Sequence, residues 1–113
     1  MTRQLYRVSV ADDSLGIYAP RGSTLIVSPE EEPISGDEVF IRYELDGRHI
    51  HLVLQYVMTD AAHNVMVVQD LIAQAKTELI LDRIEVFDPI VAIERPEVNR
   101  PVRVNPSRQA SNE

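Results

Sequence analysis

The dipeptide Asp46-Gly47 constrains this chain more than any other pair of residues, because it separates two alternating apolar runs, 39–45 and 48–56. A two-residue type I′ turn needs positive φ at both central positions, and Asp-Gly meets that need with little strain. Closing the turn there sets Leu45 against Arg48, Tyr43 against Ile50, Ile41 against Leu52 and Val39 against Leu54. That face is almost wholly apolar. The other face sets Glu44 against His49, Arg42 against His51 and Phe40 against Val53. A slip of one residue would carry every apolar side chain to water, so the two strands specify their own register.

Shorter strands are expected on both sides of this hairpin. Residues 5–10 alternate through Tyr6, Val8 and Val10, then Asp12-Asp13-Ser14 breaks the pattern and Gly16, Pro20 and Gly22 mark irregular chain. Residues 24–27 form a second strand closed by Ser28-Pro29, and 30–37 reads as a solvated acidic loop. Residues 65–68 form a short apolar strand. Over 70–81, Leu71, Ile72, Ala75 and Leu79 have helical spacing, so the segment opens with a helical turn or is a loop leading to a strand at 78–81. Residues 83–94 read as a strand interrupted at Asp88-Pro89, where proline forces an edge or a bulge. Beyond Pro96 the chain turns polar, with Pro101 and Pro106, and a mobile tail is expected. The expected organisation is therefore one domain over 1–96 and a polar, disordered tail over 97–113.

Composition narrows the function classes. With 113 residues, no cysteine and no apolar run long enough to cross a bilayer, the chain excludes a disulfide scaffold, thiol catalysis and a membrane-spanning helix. Residues 1–9 lack the apolar core of a secretory signal, so a cytoplasmic location is expected. The net charge of −7 and pI near 4.9 have the wrong sign for gripping phosphates, which argues against direct nucleic-acid binding. His49 and His51 share a strand face with Glu44 nearest, the one arrangement suggesting a metal. Partly exposed strand histidines are the simpler reading, and His63 is expected in a loop. No metal or organic cofactor is expected.

One segment carries a wider pattern. Asp13-Ser14-Leu15 is followed by Pro20-Arg21-Gly22, an apolar strand at 24–27, Ser28-Pro29, and Gly36-Asp37 at the mouth of the hairpin. This order resembles the C-terminal domain shared by LexA, UmuD and many phage repressors, the LexA-type self-cleaving serine peptidases. Their pattern runs Asp-Ser-Met, Pro and Gly, an apolar strand ending in Asp-Pro, then Gly-Asp opening another strand. The resemblance covers residues 5–96, and residues 84–96 look like the family's final strand, with Asp88-Pro89 replacing its usual Gly. It implies a mainly β fold with a signal-peptidase-like architecture, in which twisted sheets form a partly barrel-like unit with a long β-hairpin.

In that family a serine hydroxyl attacks a peptide bond of the same chain after a neutral lysine, on the strand after the hairpin turn, removes its proton. Carried over, Ser14 matches the nucleophile. The strand 48–56 holds no lysine, the best alignment puts His51 at the lysine's position, and Lys76, the one lysine in the chain, does not match. The family's Ala-Gly or Cys-Gly cleavage pair is also missing from the sequence. Two readings of Ser14 and His51 follow: a nucleophile with a substitute base, or a turn residue and a polar-face histidine in a domain that has lost the peptidase step.

The leading expectation is a dimerisation or oligomerisation domain of a phage-type or stress-response transcriptional repressor, encoded by a bacterium or phage. Its partners would be a second copy of itself and an N-terminal helix-turn-helix domain of the same parent protein. Tethering two operator-binding heads raises affinity without new DNA contacts. By the resemblance, the interface would be the C-terminal strand pairing across a two-fold axis through Ile84, Val86, Ile90, Val91 and Ile93. The alternatives are an active Ser14–His51 autopeptidase, and a stand-alone antirepressor or UmuD-like accessory subunit.

Overall fold

Strand-forming residues dominate the chain, and a computed structural model, which describes residues 4–96, shows seven antiparallel strands with two single-turn 3-10 segments between them. They are β1 (Tyr6–Ser9), β2 (Thr24–Val27), β3 (Glu38–Leu45), β4 (Arg48–Asp60), β5 (Val65–Gln69), β6 (Lys76–Ile80) and β7 (Ile84–Glu94). Their order across the sheet is β1-β2-β7-β3-β4-β5-β6. The hairpin has the expected register, Leu45 opposite Arg48 through Val39 opposite Leu54. Asp46 and Gly47 both have positive φ, 52° and 80°, as the type I′ turn demands.

β7 holds the sheet together by changing partner midway. Ile84–Pro89 pairs with β3, and the stretch from Ile90 to Glu94 pairs with β2. The proline therefore falls at the handover, where a missing N–H is least damaging, and its carbonyl accepts from Ser28 N at 3.1 Å. The ladder is regular around Pro89, from Val39–Pro89 to Arg42–Val86. The bulges lie on either side, at Glu85 opposite β3 and Val91 opposite β2.

Alternation on β3 explains the core. Val39, Ile41 and Tyr43 face one way into a cluster with Met66, Val68 and Leu79. Phe40 faces the other way into a second cluster with Val10, Ala19, Leu25 and Val27. Both faces of β3 are thus covered, and burying a side chain such as Ile41 completely contributes about 1.5–3 kcal/mol. No helix among the described residues is long and apolar enough to cross a membrane.

Two expectations change, and one open alternative is decided. The sheet is not barrel-like: among the described residues no pairing joins the outer strands β1 and β6, so it stays open. Of the two forms expected for 70–81 the second is found, a turn and loop over 71–75 leading into a strand, because Asp70 caps the turn and β6 then pairs with β5 along its whole length. Strand β7 is continuous through Asp88-Pro89. The expected tail over 97–113 lies outside the described residues.

Candidate functional site

The irregular chain between β1 and β2 brings Ser14 to a defined place. Val10 and Gly22 close the base of this excursion, with Gly22 N donating to Val10 O at 2.9 Å and Val10 N to Ser23 O at 2.9 Å. Ala19, fully buried, and Leu15 pin it onto the Phe40 cluster. At its tip Asp12 accepts from Ser14 N at 3.0 Å. The Ser14 hydroxyl and then its amide hold the Asp12 carboxyl below the usual carboxylate range.

His51 arrives from the polar face of β4, opposite Arg42. Its ring stacks on Phe40 with centroids 5.4 Å apart and planes inclined by 29°. The two residues meet at one open groove of about 490 Å³, lined by Ser14, Asp12, His51 and Asp70, with Val8–Val10 on one wall and Leu52–Leu54 on the floor. Asp70 sits at the end of β5, where its Oδ2 accepts from Ile72 N and Ala73 N. Sequence reasoning missed Asp70 as a groove residue. Its signal was the turn-capping Asp itself, which reports local backbone and not the distant loop that faces it.

The described hydrogen bonds join Ser14 to Asp12 and not to His51. In this arrangement the serine closes an Asp-headed turn, while the imidazole is stacked against an aromatic ring. Any acyl transfer would need the Ser14 hydroxyl to leave Asp12 for His51 Nε2 or Nδ1.

The other histidines are engaged elsewhere. His49 Nδ1 lies 2.8 Å from Glu85 Oε1, which also takes Arg42 Nε at 3.1 Å. Glu44 accepts from Gly47 N at 2.9 Å and so caps the hairpin turn. His63 is bonded to Asp60 at 2.7 Å in the short turn after β4. Among the described residues no group of three His, Cys, Asp or Glu side chains is placed to hold a metal.

The five candidate interface residues part company. Ile84 packs against the Val39 cluster, and Val86, Ile90 and Ile93 pack against the Phe40 cluster. Val91, at the bulge, is 43% exposed. The edge of Ile90–Ile93 that faces away from β2 borders a shallow hollow with Tyr18, Glu38 and Arg95.

What these features define is a small, open, all-antiparallel β protein with one polar-rimmed groove and one hollow on its shared strand. Compared with protein-family models, curated proteins and solved structures, the chain finds no match in any of the three.

Proposed function

We propose that this domain is a LexA-like module that assembles a repressor, with the peptidase step lost. The reading rests on the resemblance, and the groove supports it: Ser14 and His51, the two positions carried over, come from distant parts of the chain and line one groove. Ser14 is committed to Asp12, and His51 is stacked on Phe40, so the pair serves as architecture. In the proposal the operator is held by a helix-turn-helix domain of the same parent, and this acidic domain supplies the pairing.

The proposed pairing surface is the hollow beside Ile90–Ile93. Its backbone edge has no strand partner among the described residues, Val91 is exposed, and Glu38 and Arg95 flank it with opposite charges. A two-fold axis through such an edge would set Arg95 of each copy towards Glu38 of the other. Sedimentation over a dilution series tests this. A concentration-dependent dimer, weakened by Val91→Asp, supports the reading, and a monomer at every concentration overturns it.

The shared groove also favours a second reading, an autopeptidase in which His51 accepts the Ser14 proton. It requires self-cleavage of the intact parent at alkaline pH that disappears in Ser14→Ala. An intact parent under those conditions eliminates it.

A further inference from the structure

The groove has an unused strand edge as one of its walls. Among the described residues β1 pairs with β2 alone, and its Val8 and Ser9, with Val10 just beyond, line the groove. An open edge beside an apolar floor is a template for an added strand. The loops beside the groove also expose apolar surface: Ile17 is 91% and Ile72 53% exposed, and Ile72 lies close to Gly16.

We infer that this groove is occupied in cis by the chain's own residues 101–105, added as a strand to the free edge of β1. The first argument is reach. Pro96 lies against Gly22, 3.5 Å from the place a Cβ there would take, and Gly22 N is bonded to Val10 O at 2.9 Å. Pro96 follows β7, so crossing from it to the far side of β1 spans three strand spacings, or about 14 Å. The five residues from Pro96 to Pro101 extend over roughly 17 Å.

The second argument is pattern. Pro101-Val-Arg-Val-Asn-Pro106 alternates, so an extended segment there puts Val102 and Val104 on one face and Arg103 on the other. Pro106 in turn disfavours helical backbone at Asn105. The valines suit the Leu52–Leu54 floor.

The third argument is charge. The segment beyond Pro96 holds Arg100, Arg103 and Arg108 against Glu97 and Glu113, the reverse of the acidic excess in the whole chain. The groove it would enter is rimmed by Asp12 and Asp70. This inference goes beyond the assembly role and does not depend on it.

The absence of cysteine makes a clean test possible in the full chain. Asn105→Cys carrying a nitroxide label should broaden the amide signals of Val8, Val10 and Leu52 while sparing the outer strand β6. The effect should be independent of concentration, and absent when label and isotope are on different molecules. Adding Val102→Asp and Val104→Asp should abolish the broadening and speed hydrogen exchange at β1 at least several-fold. Uniform or absent broadening overturns the inference. Broadening seen only between molecules also overturns it, and assigns the groove to the tail of a second copy.

Discussion

Tyr6 donates its phenol hydrogen to Asp88 Oδ2 at 2.9 Å, joining residues 82 positions apart. The bond ties β1, an outer strand of the sheet, to the point where β7 changes partner. Asp88 is half-buried and precedes Pro89, so its carboxylate has little freedom to find another donor. Tyr6 also meets Phe40 edge-on at 6.0 Å, which fixes the ring that presents the hydroxyl.

Tyr6→Phe keeps that ring contact and removes only the donor. The expected loss is about 1–2 kcal/mol, the cost of leaving a partly buried carboxylate without a charge-assisted hydrogen bond. A lower urea midpoint with an unchanged slope is the expected result. An unchanged midpoint would mean that water replaces the phenol without penalty.

Alkaline pH should weaken the fold through the same tyrosine and one other. Burial, followed by the hydrogen bond and charge of Asp88, raises the Tyr6 phenol above its ordinary range. Burial, followed by the charge of Glu38, raises Tyr18, whose hydroxyl is buried with no hydrogen-bond partner among the described residues. Below about pH 10 both states keep these protons and the contribution is constant. Above it the unfolded chain ionises first, so stability falls as pH rises towards the raised folded values. Ultraviolet titration should show the Tyr6 and Tyr18 phenols ionising late, together with unfolding. Tyr6 and Tyr18 titrating in the ordinary range, with the fold intact, would contradict this.

How much was legible beforehand depends on how local each feature is. The hairpin could be read because turn residues and alternation agree within a short window, and Leu45 to Leu54 pair as they must. The place of β7 could not. Pro89 marks a position where a ladder is interrupted, but nothing near it in sequence says that the partner changes there from β3 to β2. Helical spacing at Leu71, Ile72, Ala75 and Leu79 left a helical turn and a loop before a strand equally open, because a single cap, Asp70, and the ladder to β5 decide the backbone. The groove was legible only through the resemblance that paired Ser14 with position 51. Asp70, which completes the rim from another loop, had no such guide.

Acid should loosen the turn that holds Ser14. The Ser14 hydroxyl and amide favour the charged form of Asp12, so its folded pKa lies below the unfolded one. That contribution is fully present above the unfolded value, near pH 3.9, and is lost as pH falls through the lower folded value. The Ser14 amide resonance should therefore titrate at lower pH than an ordinary aspartate. In Ser14→Ala the Asp12 titration should move back up towards the ordinary range. If it does not move, the hydroxyl bond is not what holds Asp12 down.

Two glycines of positive φ separate backbone strain from steric conflict. Gly47, at φ 80°, has open space where a Cβ would go, so Gly47→Ala carries only the cost of the left-handed backbone, about 1 kcal/mol. Gly16, at φ 56°, pays a similar backbone cost, but its new Cβ would also lie 3.2 Å from Ile72 Cδ1. Cδ1 is the far end of the exposed, flexible Ile72 side chain and can give way, so the extra cost should be small while the neighbouring turn moves. Gly16→Ala should thus lower the urea midpoint about as much as Gly47→Ala. It alone should shift the amide resonances of Asp70, Ile72 and Ala73, whose turn forms the rim opposite Ser14. Identical spectra at those three positions in the two variants would show that the 12–18 and 70–74 loops do not touch in solution.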